Sequence, residues 1–168
     1  PALKPYEIIE KKGVKIAILG MITPAVPFWL PEDLWRGLHF DDMEKTARKW
    51  IRIIKKQENP DLIIGLFHSG QYESILGGKY RDNASITVAQ RVRGFDILMI
   101  GHDHLRECKK IISNAGDTIL VVNPEANGKI VAEVDITFTL RDGKVYEKSM
   151  SGALTSVEQY NPSKAFME

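Results

Sequence analysis

Short apolar runs, separated by polar or proline-containing stretches, set the architecture of this chain. Val14-Lys15-Ile16-Ala17-Ile18-Leu19-Gly20 is mostly apolar and closed by glycine, which predicts a strand. Before it, Tyr6 to Ile9 fits a short edge strand, set off by Lys11-Lys12-Gly13. Residues 23–37 carry Pro24, Pro27 and Pro31 together with Phe28, Trp29 and Trp35, so regular pairing gives way to an aromatic loop or short turns. A helix is expected from Asp41. Asp41 and Glu44 fit a capping box, Met43, Ala47, Trp50, Ile51 and Ile54 repeat at helical spacing, and Asn59-Pro60 ends it.

Asp61 to Phe67 is nearly continuous in apolar residues, as in a strand covered on both faces. Residues 69–82 read as a polar loop, 83–93 as a second helix, and 95–100 and 118–122 as further buried strands. From Ile130 to Leu140 the alternation is clear. Ile130, Ala132, Val134, Ile136 and Phe138 share one face, and Asp142-Gly143 then suits a tight turn into Lys144–Glu147. From Ser151 the period fades, and 151–168 is expected to be a peripheral tail. Strands alternating with helices, then a hairpin, predict an α/β fold with helices packed outside a mixed sheet.

Composition narrows the function classes. A length of 168 residues fits one domain, and 43% hydrophobic with 27% charged residues is ordinary for a globular protein. Lys+Arg 23 against Asp+Glu 22 leaves a net charge of +1, which argues against charge-driven binding to a nucleic-acid duplex or membrane surface. The single cysteine, Cys108, excludes an internal disulfide and a cysteine-rich zinc site, and is expected to be a small buried residue. No apolar run approaches the ~20 residues of a membrane span.

The candidate chemistry lies in the histidines. One buried run ends in His68-Ser69-Gly70 and another in Gly101-His102-Asp103-His104. Ligand sites of open α/β sheets gather at the carboxyl ends of strands, so parallel neighbours would align all three imidazoles along one edge. The i, i+2 spacing of His102 and His104 directs both to one face if the chain stays extended. Converging neutral imidazoles suit zinc, iron, manganese or nickel. His39, in Gly37-Leu38-His39-Phe40 before the helix, has no such context and is read as a structural residue rather than a ligand. Phe28-Trp29…Trp35 could wall a base-binding pocket or pack locally under the proline-rich loop; local packing is the preferred reading.

The order strand–His-Ser-Gly, then strand–Gly-His-Asp-His, resembles the last two metal motifs of calcineurin-like metallophosphoesterases. Gly13 to Gly20 followed by Thr23-Pro24, Asp61 to Ile64 before His68, and Asp82-Asn83-Ala84 before Gly94-Phe95-Asp96-Ile97 are similar to the bacterial branch of 5′-nucleotidases and 2′,3′-cyclic-nucleotide 2′-phosphodiesterases/3′-nucleotidases. The resemblance covers about residues 5–140. It implies part of a four-layer α/β/β/α sandwich with two divalent metals at the strand ends, His68 and His102 on one and His104 on the other. It further implies a metal-activated hydroxide attacking a nucleotide or other phosphoester, and a periplasmic or cell-surface location.

The family's earlier motifs are Asp-x-His, a Gly-Asp whose carboxylate bridges the metals, and Gly-Asn-His-Asp/Glu, which brings the catalytic histidine. None occurs in this sequence, and Gly116-Asp117 follows Gly101-His102-Asp103-His104 in the wrong order. Residues 1–150 are therefore expected to form the C-terminal half of a catalytic domain, with no catalytic residue of its own. Such a half should be inactive alone and need the N-terminal half or self-association. Two alternatives stay open: a non-catalytic binding or scaffold domain on the same fold, and a mononuclear histidine-ligated zinc site.

Overall fold

The computed structural model describes residues 3–167. Tyr6–Lys11 (β1) and Val14–Ile22 (β2) form an antiparallel hairpin, so the first short run is an edge strand. The aromatic segment holds one helical turn, Val26–Trp29 (α1), and a 3-10 turn, Glu32–Leu34. The main helix is Met43–Gln57 (α2), with Met43, Ala47, Ile51 and Ile54 buried and Trp50 half-buried. Its cap lies one residue later than the sequence pattern suggested. Asp42, not Asp41, accepts from Lys45 N at 2.9 Å. Glu44 instead pairs with Arg48 at 2.7 Å and Arg91 at 3.2 Å, so two guanidinium partners outcompete a capping role.

Leu62–His68 (β3) follows, then a small hairpin of Ser74–Leu76 (β4) and Tyr80–Asn83 (β5) within the segment expected to be loop. Next come the helix Ser85–Arg91 (α3) and the strands Ile97–Gly101 (β6), Arg106–Ile112 (β7) and Thr118–Pro124 (β8). Strand β7 was not expected from the sequence. Arg106, Glu107, Lys109 and Lys110 mask its period, and charges are tolerated because β7 is an edge. Cys108 lies on this edge and is exposed, contrary to its expected burial.

One sheet has the order β1-β2-β3-β6-β8-β7, parallel across β2, β3, β6 and β8 and antiparallel at both edges. Its helix-side face buries Leu19, Ile63, Phe67, Leu98 and Val121 against α2 and α3. Its other face buries Leu62, Ile97, Leu120 and Val122 under a hairpin of Ile130–Arg141 (β9) and Lys144–Ser156 (β10), through Ala132, Val134, Ile136, Phe138 and Met150. The hairpin turns at Asp142 and Gly143, which have φ of 51° and 74°, as a tight primed turn requires.

Strand β10 continues to Ser156, so residue 150 lies inside a strand and 151–156 is paired rather than peripheral. Small residues hide this: Gly152 and Ala153 have little hydrophobic contrast, yet Gly152 packs so closely that a Cβ there would approach Cys108 Sγ at 2.7 Å. Beyond it lie a 3-10 turn, Val157–Gln159, and the exposed turn Lys164–Met167 (α4). Helices, a six-stranded sheet and a two-stranded layer thus make three of the layers of an α/β/β/α sandwich. The hairpin leaves part of the second face open: Ile22 and Leu66 remain 49% and 53% exposed. A groove of about 490 Å³ there is lined by Gly20, Leu66, His68, Met99 and Pro124 among others.

Candidate metal centre

The parallel register brings the motifs to one edge. His68, the last residue of β3, pairs with Ile22 on one side and Gly101 on the other. Its carbonyl accepts from Thr23 N at 2.9 Å, tying the loop after β2 to the same edge. The rings of His68 and His102 lie 5.1 Å apart in an edge-to-face arrangement. Gly101 has a neighbour only at 3.9 Å from where its Cβ would be, His68 Nδ1, so the strand ends meet without crowding.

The loop after β6 is not extended. His102 has φ of 94° and His104 φ of 57°, so the expected sharing of one face by i, i+2 spacing does not apply. Left-handed backbone at a non-glycine residue costs about 1–3 kcal/mol, and side-chain contacts must hold it. Asp103 supplies several. Its Oδ2 accepts from Gln71 N at 2.7 Å, and its Oδ1 accepts from Asn123 Nδ2 at 2.7 Å and Leu105 N at 3.3 Å. His104 is thereby turned to the exposed side of the loop. Among the described residues, no three histidine, cysteine or carboxylate side chains gather as one ligand group.

A second set of contacts braces His68-Ser69-Gly70. Ser69 Oγ donates to the Asp82 carbonyl at 2.9 Å and accepts from Ala84 N at 3.1 Å, while Gly70 N donates to Asn83 Oδ1 at 2.7 Å. The Asp82 carboxylate is buried, and its Oδ1 meets His102 Nε2 at 2.9 Å, Trp29 Nε1 at 3.2 Å and Thr23 Oγ1 at 3.2 Å. Trp29 stands edge-to-face with His102 at 6.3 Å and is 54% exposed, so it borders the site rather than filling a local core. Sequence reasoning missed the roles of Asp82, Trp29 and Asp103, whose signals were the Asp82-Asn83-Ala84 pattern, the aromatic loop and the Gly101-His102-Asp103-His104 motif. His39 pairs with Asp41 at 3.2 Å on the surface, as expected of a residue outside the site.

Partial burial of its ring holds the His68 pKa below the ordinary histidine value, helped by the charge His102 and His104 gain on protonation and opposed by Asp82. A ring kept neutral retains the lone pair that a metal needs. The donor set fits a metal in kind: His68 and His102 are neighbouring imidazoles, and His102 has a carboxylate on its second nitrogen, the usual support for a ligating histidine. It is incomplete in number for a catalytic site, which takes three or more protein ligands.

No family model matches the chain. It is 33% identical over 106 residues to a 5′-nucleotidase of Vibrio cholerae, covering 62% of this chain and 19% of that protein. It is 28% identical over 115 residues to a 2′,3′-cyclic-nucleotide 2′-phosphodiesterase/3′-nucleotidase of Yersinia enterocolitica, covering 62% and 17%. Its fold matches the crystal structure of the calcineurin-like phosphoesterase YfkN from Bacillus subtilis with a TM-score of 0.72 at 24% identity, over 95% of this chain and 52% of that one. In fold, the chain is similar to a calcineurin-like phosphoesterase. In sequence, it has homologues named as 5′-nucleotidases and as 2′,3′-cyclic-nucleotide 2′-phosphodiesterases/3′-nucleotidases. It spans about a fifth of the length of the curated relatives just described.

Proposed function

We propose that this chain contributes the C-terminal half of the catalytic domain of a metal-dependent hydrolase of nucleotide phosphoesters. The observation that carries the reading is the pair of imidazoles, His68 and His102, 5.1 Å apart at adjacent parallel strand ends. His68 and His102 would hold one divalent ion, zinc, manganese, iron or nickel, and His104 a second. Bound there, the ions would supply an activated hydroxide and neutralise phosphoryl charge. This chain's own part is to present neutral nitrogens and to orient them through Asp82 and Asp103. The remaining ligands would come from polypeptide packing on the open sheet face beside His68, where Ile22 and Leu66 are exposed. The substrate proposed is a nucleotide or related phosphoester, as the relatives' names suggest, and the location periplasmic or cell-surface. Among the described residues, no helix is long and apolar enough to cross a membrane.

A second reading is a binding or scaffold domain on the same fold, favoured by the lack of a closed three-ligand group among the described residues. Metal analysis separates the two. In a parent protein that supplies the remaining ligands, elemental analysis should show His68→Ala and His102→Ala depleted of one metal, His104→Ala of the other, and His39→Ala of neither. Full occupancy in His102→Ala would remove the metal-centre reading and favour the scaffold.

A further inference from the structure

We propose that Asp82 is the positioning residue of His102, fixing its tautomer so that Nδ1 carries the lone pair facing the centre. The inference rests on the reading of His102 as a metal ligand. Its ground is the company that Asp82 Oδ1 keeps. The indole Nε1 of Trp29 can only donate, so at 3.2 Å it requires Oδ1 to accept. Thr23 Oγ1 accepts from Ala25 N at 3.1 Å and directs its own proton to Oδ1 at 3.2 Å. As a carboxylate, Asp82 can only accept, in keeping with the two donors already on Oδ1, so His102 Nε2 at 2.9 Å carries the proton. A neutral imidazole has one N–H, so Nδ1 is left with the lone pair.

The carboxylate is itself held in place. Asp82 is 4% exposed, and its carbonyl is bound by Ser69 Oγ from the residue directly after His68. Ser69 therefore links the placement of one histidine to the orientation of the other, across β3, β5 and β6. Trp29 belongs to the same device. Its indole N–H braces the carboxylate while its ring edge stands against the His102 ring at 6.3 Å, limiting rotation. Supporting carboxylates of this kind change metal affinity about 10–100-fold when removed.

The test is long-range proton–nitrogen NMR of the histidines in the 168-residue protein, first without metal and then with added zinc. The metal-free native protein should show His102 as one neutral species protonated at Nε2. A native His102 protonated at Nδ1, or present as a mixture of tautomers, would overturn the proposal without any variant. Asp82→Ala should produce the mixture and weaken zinc binding about 10–100-fold. Asp82→Asn, which keeps an acceptor oxygen, should restore most of the single tautomer; a merely structural role would make Ala and Asn equivalent. A folded Asp82→Ala protein with an unchanged tautomer and unchanged zinc affinity would also overturn it. If zinc leaves the His102 Nδ1 resonance unmoved while the tautomer is as expected, the positioning by Asp82 stands and the metal-ligand reading fails instead.

Discussion

Gly70 has no room for a side chain. A Cβ there would collide with the Asn83 amide and with Asp103 Cβ at 2.7 Å, the two groups that brace the loops carrying His68 and His102. Gly70→Ala should therefore cost about 1–3 kcal/mol in thermal unfolding, the usual range for overpacking. It should also weaken zinc binding, measured by titration calorimetry, because the two loops must separate. At His68 the effect is one of pH. Its folded pKa is depressed, chiefly by burial, so its contribution to stability is full above the unfolded value of about 6.5 and is lost as pH falls through the lower folded value. His102→Ala removes a repulsive neighbour and opens the ring to water, so the His68 titration followed by NMR should move up toward the ordinary value. The strand-end placement of His68 and His102 was legible in the sequence because each motif follows an apolar run. Asp82 was not legible as a site residue. A carboxylate in a polar segment looks solvated, and only the fold shows it buried beneath Trp29 and His102.

At the scale of elements, the parallel strands and the main helix were readable because both of their faces, or one clear stripe, are apolar. Where the contrast was weak the reading failed. Strand β7 alternates in burial, but its lysines and arginine lie in half-buried and exposed positions alike. The β4–β5 hairpin, with its Gly77-Gly78 turn, is polar and too short to show a period. The cap of α2 was displaced by one residue because two adjacent aspartates both suit it, and only backbone geometry selects Asp42, whose φ and ψ of −60° and 128° are non-helical. Asp42→Ala should lower stability by about 1 kcal/mol in denaturant unfolding, whereas Asp41→Ala should be near neutral. Ile54→Ala, which empties a fully buried position between α2 and the sheet, should cost about 2–5 kcal/mol.

For the whole molecule, the decisive feature is the open sheet face beside the candidate site. Ile22 and Leu66 lie there half-exposed, Leu66 in the wall of the groove that includes His68. Exposed apolar area of this kind drives association. The isolated chain should sediment above its 19.0 kDa mass at micromolar concentration, and Leu66→Lys should shift it back toward monomer. Given only three neutral ligands, the chain alone should show no appreciable metal-dependent hydrolysis of a 5′-nucleotide, a 2′,3′-cyclic nucleotide or an aryl phosphodiester. Robust turnover abolished by His102→Ala would show that the indispensable residues lie within this half. One arrangement bears on how such a centre comes into being. His68, Asp82, His102 and His104 all lie along a single crossover from β3 through α3 to β6 and its loop. Bringing them together closes one strand–helix–strand connection rather than joining distant parts of the chain, so this side of the centre can be ordered as a unit. Polypeptide packing on that edge would meet a prepared surface, and a shared ion would then act as a latch between two separately formed pieces of chain.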